Sequence, residues 1–292
     1  MNPTTYTLGG DLPIHRIGFG AMRLCGQPGN FGPYPDWASG KRLIRRAIEL
    51  GVNFIDTAHA YGPGWNESLI GEVLADLSEE VVVATKGGVE KTAADKVFPD
   101  ARPSQLRLRC EESLQRLRLE RIPLYQLHRP DPNVPFAESV GALAQLRAEG
   151  KIRHVGLSNV SLAQIEEALQ IVPIASVQNR FNLAEQADSD VLELCLARGI
   201  AYLPWGPLAA KPFSPEAPLS DDHRLAAIAR AHSATEGQIA LAWLLQHAPH
   251  IVLIPGTTST VHLEENILAK TIILSTVESL SLGALFNNVK TR

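Results

Sequence analysis

Residues 150–179, GKIRHVGLSNVSLAQIEEALQIVPIASVQN, hold a strand, a helix and a second strand in one short span. The apolar run His154–Leu157 reads as a strand, Leu162–Leu169 puts its apolar residues on one helical face, and Ser176–Asn179 reads as the next strand. The same alternation extends in both directions. Strands are expected near Arg16–Met22, Asn53–Thr57, Val81–Lys86, Leu124–His128, Ala201–Trp205 and Ile251–Ile254. Helices are expected near Ser39–Leu50, Glu67–Leu77, Pro103–Leu117, Pro135–Glu149, Ala187–Ala197, Arg224–His247 with a break at Ser233–Thr235, and Thr260–Leu268. Gly51, Gly150 and Gly199 stand where helices should end, and Pro103 and Pro135 where they should begin.

No Ser/Gly linker, charge block or low-complexity tract divides this pattern. An open doubly wound sheet would bring a topological break and a glycine-rich first turn. Eight strand–helix units without a break predict an α/β fold of the (β/α)8 TIM barrel type, one domain over residues 1–292. Before the first barrel strand, Tyr6–Leu8 and Leu12–Ile14 flank Gly9-Gly10-Asp11, the signal of an N-terminal β-hairpin that would plug the barrel bottom. Leu24–Trp37 and Leu208–Ser220 are long for connectors. They follow the first and seventh strands, at the end where such barrels build sites, and are expected to wall a substrate pocket.

Composition narrows the function classes. The 292 residues are 45% hydrophobic and 20% charged with a net charge of −4, which excludes a disordered chain and gives no basic surface for nucleic acid or anionic membrane. The three cysteines, Cys25, Cys110 and Cys195, lack CxxC spacing, as expected of idle thiols in a reducing compartment. Met1–Gly10 has no basic-then-apolar leader and no long apolar window follows, so a cytoplasmic setting is expected. No dedicated protein partner is evident.

Polar residues at the C-terminal ends of barrel strands attract attention because the interior is filled by apolar layers. Those ends carry Asp56, Lys86, His128, Ser158-Asn159 and Gln178. Each alone suits a structural role such as a turn cap or a satisfied core histidine; converging on one rim, they point to chemistry. Tyr61 lies five residues past Asp56. Lys86 beside it should favour the phenolate, Asp56 should hold that ammonium charged, and His128 adds a donor for a carbonyl oxygen. Such a set suits carbonyl reduction and lacks a hydride source.

Six segments together make the chain similar to the aldo-keto reductases: Asp56-Thr57-Ala58-His59-Ala60-Tyr61-Gly62, Ala84-Thr85-Lys86, Leu124–His128, Gly150–Asn159, Gln178–Asn182, and Ile254-Pro255-Gly256 with Leu263–Asn266. The resemblance implies reduction of a small aldehyde or ketone, with Asp56, Tyr61, Lys86 and His128 as the catalytic tetrad and Tyr61 the proton donor. It implies NADPH as cofactor, with NADH as the alternative, bound without a Rossmann fold and without metal. Ser158, Asn159 and Gln178 match the groups that hold the nicotinamide carboxamide, and Trp205 the ring that stacks on the nicotinamide. Gly20, Ala21, Met22, Gly206 and Leu208 would line the cofactor path. Gly256, Thr257, Thr258 and Ser259 open the last barrel helix, where free N–H groups suit phosphate; Glu265 and Asn266 match adenine contacts. Where many members carry Lys and Arg for the 2′-phosphate, this chain has Gly256 and His262, leaving Thr257, Thr258, Ser259 and a protonated His262 as donors.

Two other functions fit a barrel of this kind less well. A cofactor-sensing barrel without turnover would not need the intact tetrad. A metal-dependent hydrolase finds no HxH or HExxH among the nine histidines, of which His223, His232, His247 and His250 fall on outer helices. Phe31, Tyr34, Trp37 and Trp65 fall on rim loops and are candidates for an apolar pocket wall of little net charge.

Overall fold

A computed structural model describes residues 3–77, 80–208 and 223–284 of the chain. Its framework is a seven-stranded parallel sheet in the order Ala201–Tyr202 (β11), Ile174–Gln178 (β10), Ile152–Ser158 (β9), Ile122–Leu127 (β8), Val82–Gly87 (β5), Phe54–Asp56 (β4) and Phe19–Gly20 (β3). The eighth stave closes the ring through isolated parallel bridges, Tyr202 to Ile251 on one side and Ile17 to Leu253 on the other. Main-chain bonds from Gly18 N to Leu253 O (2.8 Å) and Val252 N to Tyr202 O (2.9 Å) complete the closure. The (β/α)8 barrel is therefore present, with its last stave tied by bridges where the sequence suggests a regular strand.

Helices alternate with the staves as expected: α1 (Trp37–Glu49), α2 (Trp65–Leu74), α3 (Pro103–Leu117), α4 (Phe136–Ala148), α5 (Leu162–Leu169), α6 (Ser189–Arg198), α7 (His223–Ala231), α8 (Glu236–His247) and α9 (Thr260–Leu268), followed by α10 (Thr276–Ala284). The break between α7 and α8 falls at Ser233, whose φ of 51° no helix accommodates, and Thr235 then caps α8 through Gln238 N. Gly199 ends α6 in the left-handed region at φ 65°.

Two cores follow from a closed sheet with helices outside. The outer core packs helix faces on the staves, and the inner one fills the barrel with Phe54, Val82, Leu124, Ala201 and Val252. Leu8, Leu12 and Ile14 join that inner cluster from the hairpin of β1 (Thr5–Leu8) and β2 (Leu12–His15). Their partners sit at the entering ends of the staves, so the hairpin does plug the bottom and leaves the opposite rim for a site. A further hairpin, β6 (Val89–Ala93) with β7 (Lys96–Pro99), rises straight from β5 and has no counterpart in the sequence reading. Its strands are short and polar at their tip, so no alternating apolar signal marks them. Of the expected loop Leu208–Ser220, residues 209–220 lie outside the described residues.

Candidate active site

Three short main-chain links position the strand-end residues. Thr57 N donates to Ala84 O (2.8 Å) and His59 N to Lys86 O (3.1 Å), which presses the loop after Asp56 onto β5; His128 N donates to Gly87 O (2.8 Å) just beyond β8. Tyr61 N then turns back to Ala58 O at 3.1 Å. Asp56, Lys86, Tyr61 and His128 thereby meet at one point of the rim.

Lys86 is fully buried and spends its three N–H donors on three oxygens: Asp56 Oδ2 at 2.6 Å, Thr57 O at 2.9 Å and the Tyr61 hydroxyl at 3.5 Å. The other carboxylate oxygen of Asp56 accepts from Gln178 Nε2 (2.8 Å) and Gln126 Nε2 (3.2 Å). The Tyr61 and His128 rings meet edge to face, centroids 5.9 Å apart at 86°. His128 Nδ1 is buried without a hydrogen-bond partner.

Burial governs the titration of these groups. It lifts the Tyr61 phenol above its ordinary 10.0, and Lys86 only partly opposes this. Lys86 does favour the phenolate, as expected, but desolvation of the anion outweighs the nearby ammonium, so the net shift of Tyr61 is upward. Burial also pushes His128 well below 6.5, reinforced by the positive charges of Lys86 and Arg129. His128 is a neutral imidazole. For Lys86, burial works against the charge, but Asp56 and Tyr61 more than restore it and its pKa is raised.

A cavity of about 400 Å³ opens above this cluster. Of the residues singled out in the sequence, its wall carries Gly20, Met22, Asp56, Tyr61, His128, Ser158, Asn159, Gln178, Trp205, Gly206, Leu208 and Gly256. Lys86 lies beneath the wall, and Ala21 is packed in the outer core instead of facing the cavity. Thr257, Thr258, Ser259, His262, Glu265 and Asn266 lie beyond Gly256, at and along the start of α9 and off the cavity itself. Ser259 caps α9 by accepting from His262 N (3.4 Å), and Thr257 Oγ1 accepts from Ser259 N (3.0 Å); Thr258 and His262 are exposed.

The residues matched to a carboxamide are already engaged. Ser158 Oγ donates to Gln178 O (2.8 Å), Asn159 Nδ2 to His128 O and Ser158 Oγ (3.0 Å each), and Gln178 Nε2 to Asp56. Their remaining capacity is chiefly acceptor oxygens, which suit an amide NH₂. Trp205 Nε1 donates to Asn159 Oδ1 at 3.2 Å, and the Arg180 guanidinium lies 4.9 Å from the centre of its ring. Between β3 and the eighth stave the backbones come so close that a Cβ at Gly20 would lie 2.4 Å from Ile254 O, and one at Gly256 2.7 Å from Gly20 O. Only glycine allows that smooth wall, which fits the passage of a flat or phosphate-bearing group.

Several site residues escaped the sequence reading. Gln126, fully buried off the cavity wall and donating to Asp56, is one residue short of the strand end, yet a polar side chain facing into a barrel was its signal. Arg23, Asn30, Lys91 and Arg129 border the cavity, so it is more cationic than the little-charged pocket expected. The aromatic wall is also corrected: Phe31, Tyr34, Trp37 and Trp65 do not border the cavity, and Trp37 and Trp65 instead pack edge to face at 6.1 Å. Among the described residues no group of three His, Cys, Asp or Glu side chains is arranged to hold a metal, and no helix is long and apolar enough to cross a membrane.

Comparison with known proteins adds an independent line. The Aldo/keto reductase family model matches residues 16–279. An uncharacterized oxidoreductase of Schizosaccharomyces pombe is 41% identical over 91% of this chain and 85% of its own length. The pyridoxine 4-dehydrogenase of Escherichia coli is 37% identical over 96% of this chain and 99% of its own. Among solved structures, an aldo/keto reductase from Klebsiella pneumoniae in complex with NADP and acetate matches with a TM-score of 0.82 at 27% identity, covering 97% of this chain and 95% of that one.

Proposed function

The chain belongs to the aldo/keto reductase family, and we propose that its single barrel domain reduces an aldehyde or ketone to the alcohol with Tyr61 as proton donor. The observation that carries the assignment of roles is the edge-to-face meeting of Tyr61 and His128 on the cavity wall, with Lys86 Nζ held between the Tyr61 hydroxyl and Asp56. NADPH, when bound, supplies the hydride that reaches the carbonyl carbon.

The chain's own residues do the rest. Tyr61 Oη gives its proton to the carbonyl oxygen as charge develops there, and His128 orients that oxygen by a hydrogen bond. The phenolate left on Tyr61 is stabilised by Lys86 Nζ, which Asp56 keeps charged. Lys86 is fully buried, which keeps water from its ammonium and strengthens its interactions with Asp56 and Tyr61.

The wall suits the cofactor residue by residue. Ser158, Asn159 and Gln178 would accept from the carboxamide, Trp205 would stack on the nicotinamide, and Gly20, Met22, Gly206 and Leu208 would flank the pyrophosphate. The start of α9, with Gly256, Thr257, Thr258, Ser259 and His262, would meet the distant phosphate, with Glu265 and Asn266 beside the adenine. Buried, free cysteines whose pKa burial pushes up to about 12 suit a reducing, cytoplasmic setting.

Fluorescence titration with NADPH and NADH, followed by turnover on a panel of aldehydes that includes pyridoxal, tests the reading. Tight binding of NADPH and reduction of at least one aldehyde are expected; no binding of either cofactor and no turnover would overturn it.

A further inference from the structure

Lys91 stands out among the groups that the mechanism above does not use. It is carried by β6, is only 8% exposed, and borders the same cavity as Tyr61 and His128. Its ammonium donates to Gly29 O, which ties the loop after the first stave to the β6–β7 hairpin. That bond takes one of three donors, and among the described residues no carboxylate pairs with it. Lys86, the other buried lysine on this side, has three oxygen partners including Asp56. A buried ammonium lacking a counter-ion is costly, because desolvation is not repaid by attraction. In keeping with this, burial lowers the pKa of Lys91.

The surroundings say what would repay it. Among the described residues Asp56 is the one carboxylate on the cavity wall and is committed to Lys86, whereas Arg23 and Arg129 add further positive groups. Val89, Val97 and Ala60 supply apolar wall to the same cavity. Resting on the reductase reading, we propose that the carbonyl substrate carries an anionic group, a carboxylate or a phosphate ester, which pairs with Lys91 while its hydrocarbon part lies against Val89 and Val97. The missing counter-ion of Lys91 arrives with the substrate, so selection for charge is built into the same cavity that performs the reduction.

The test compares kcat/KM for 4-carboxybenzaldehyde against benzaldehyde, and for glyceraldehyde 3-phosphate against glyceraldehyde, with NADPH. The enzymes are the wild type, Lys91→Gln and Lys91→Arg. The wild type should favour the anionic member of at least one pair, and the pair that responds tells carboxylate from phosphate. Lys91→Gln should cut that preference about tenfold, mainly through KM, Lys91→Arg should restore it, and added salt should weaken it. An unchanged preference in Lys91→Gln, or a wild type that reduces the neutral members equally well, overturns the proposal. If Lys91→Gln fails to fold, a wild-type preference that salt does not touch overturns it instead. A wild type that binds neither cofactor and turns over no aldehyde of the wider panel defeats the reductase reading, and this inference with it; one that reduces other aldehydes but none of the four overturns this inference alone.

Discussion

The two arcs of the barrel rim are built on opposite plans. On the arc of β4, β5 and β8, Asp56, Lys86 and Tyr61 are bonded to one another before any ligand arrives, and Lys86 has no exposed surface. On the arc from β11 through the eighth stave to α9, the matched groups include glycines and exposed side chains such as Thr258 and His262 beside the buried Thr257 and Asn266, and none of them forms an ion pair like that of Lys86 and Asp56 among the described residues. In the proposed reaction the first arc presents one proton in one place, and it is preorganised at the cost of burying an ion pair. The second arc, in the same proposal, admits and releases a large anion. Local N–H groups and a helix start serve that end without a basic surface, in line with the net charge of −4.

Substitutions should divide along the same line. Tyr61→Phe removes the acid but no cofactor contact, so kcat should fall by roughly 10²–10⁴ while the dissociation constant for NADPH stays as in the wild type. Retention of turnover in steady-state assays would break the contrast outright. Lys86→Met leaves Asp56 buried with only amide donors, and stability should drop by about 3 kcal/mol, read from the midpoint of urea unfolding. A variant as stable as the wild type would mean that the first arc is not held by its ion pair.

The opposite arc should yield smaller effects. His262→Ala removes an exposed group, so NADPH affinity in fluorescence titration should weaken only about two- to threefold, in the range of solvated ion pairs. A loss of a hundredfold would show that this arc is as preorganised as the other. The least change is expected from pH. His128 is pushed below 6.5, so it takes up a proton only in more acidic solution; Tyr61 is raised above 10.0, so it loses its proton only in more alkaline solution. The kcat profile should therefore be flat between those limits, and an inflection within them that vanishes in His128→Gln would contradict the neutral imidazole.

Much of this was readable from the chain. The period of the apolar residues repeats within each 30-residue unit, and residues at or next to the C-terminal end of a parallel stave lie at the rim, so Asp56, Lys86 and His128 are placed there by the sequence alone. The β6–β7 hairpin was not, because its strands carry no alternation, and with it Lys91 went unnoticed. The aromatic loop residues misled for a related reason: Trp37 and Trp65 satisfy each other, which residue type alone does not reveal.

Order of elements, barrel closure and the identity of the rim residues thus reside in local periodicity and spacing, which short stretches of chain encode. What the rim residues do to one another does not. Gln178 and Asp56 are 122 positions apart yet share a hydrogen bond of 2.8 Å, and the upward shift of Tyr61 and downward shift of His128 arise from burial by many distant segments. Desolvation and pairing are sums over neighbours in space, so the protonation of the tetrad and the uncompensated charge of Lys91 emerged only when the barrel was closed.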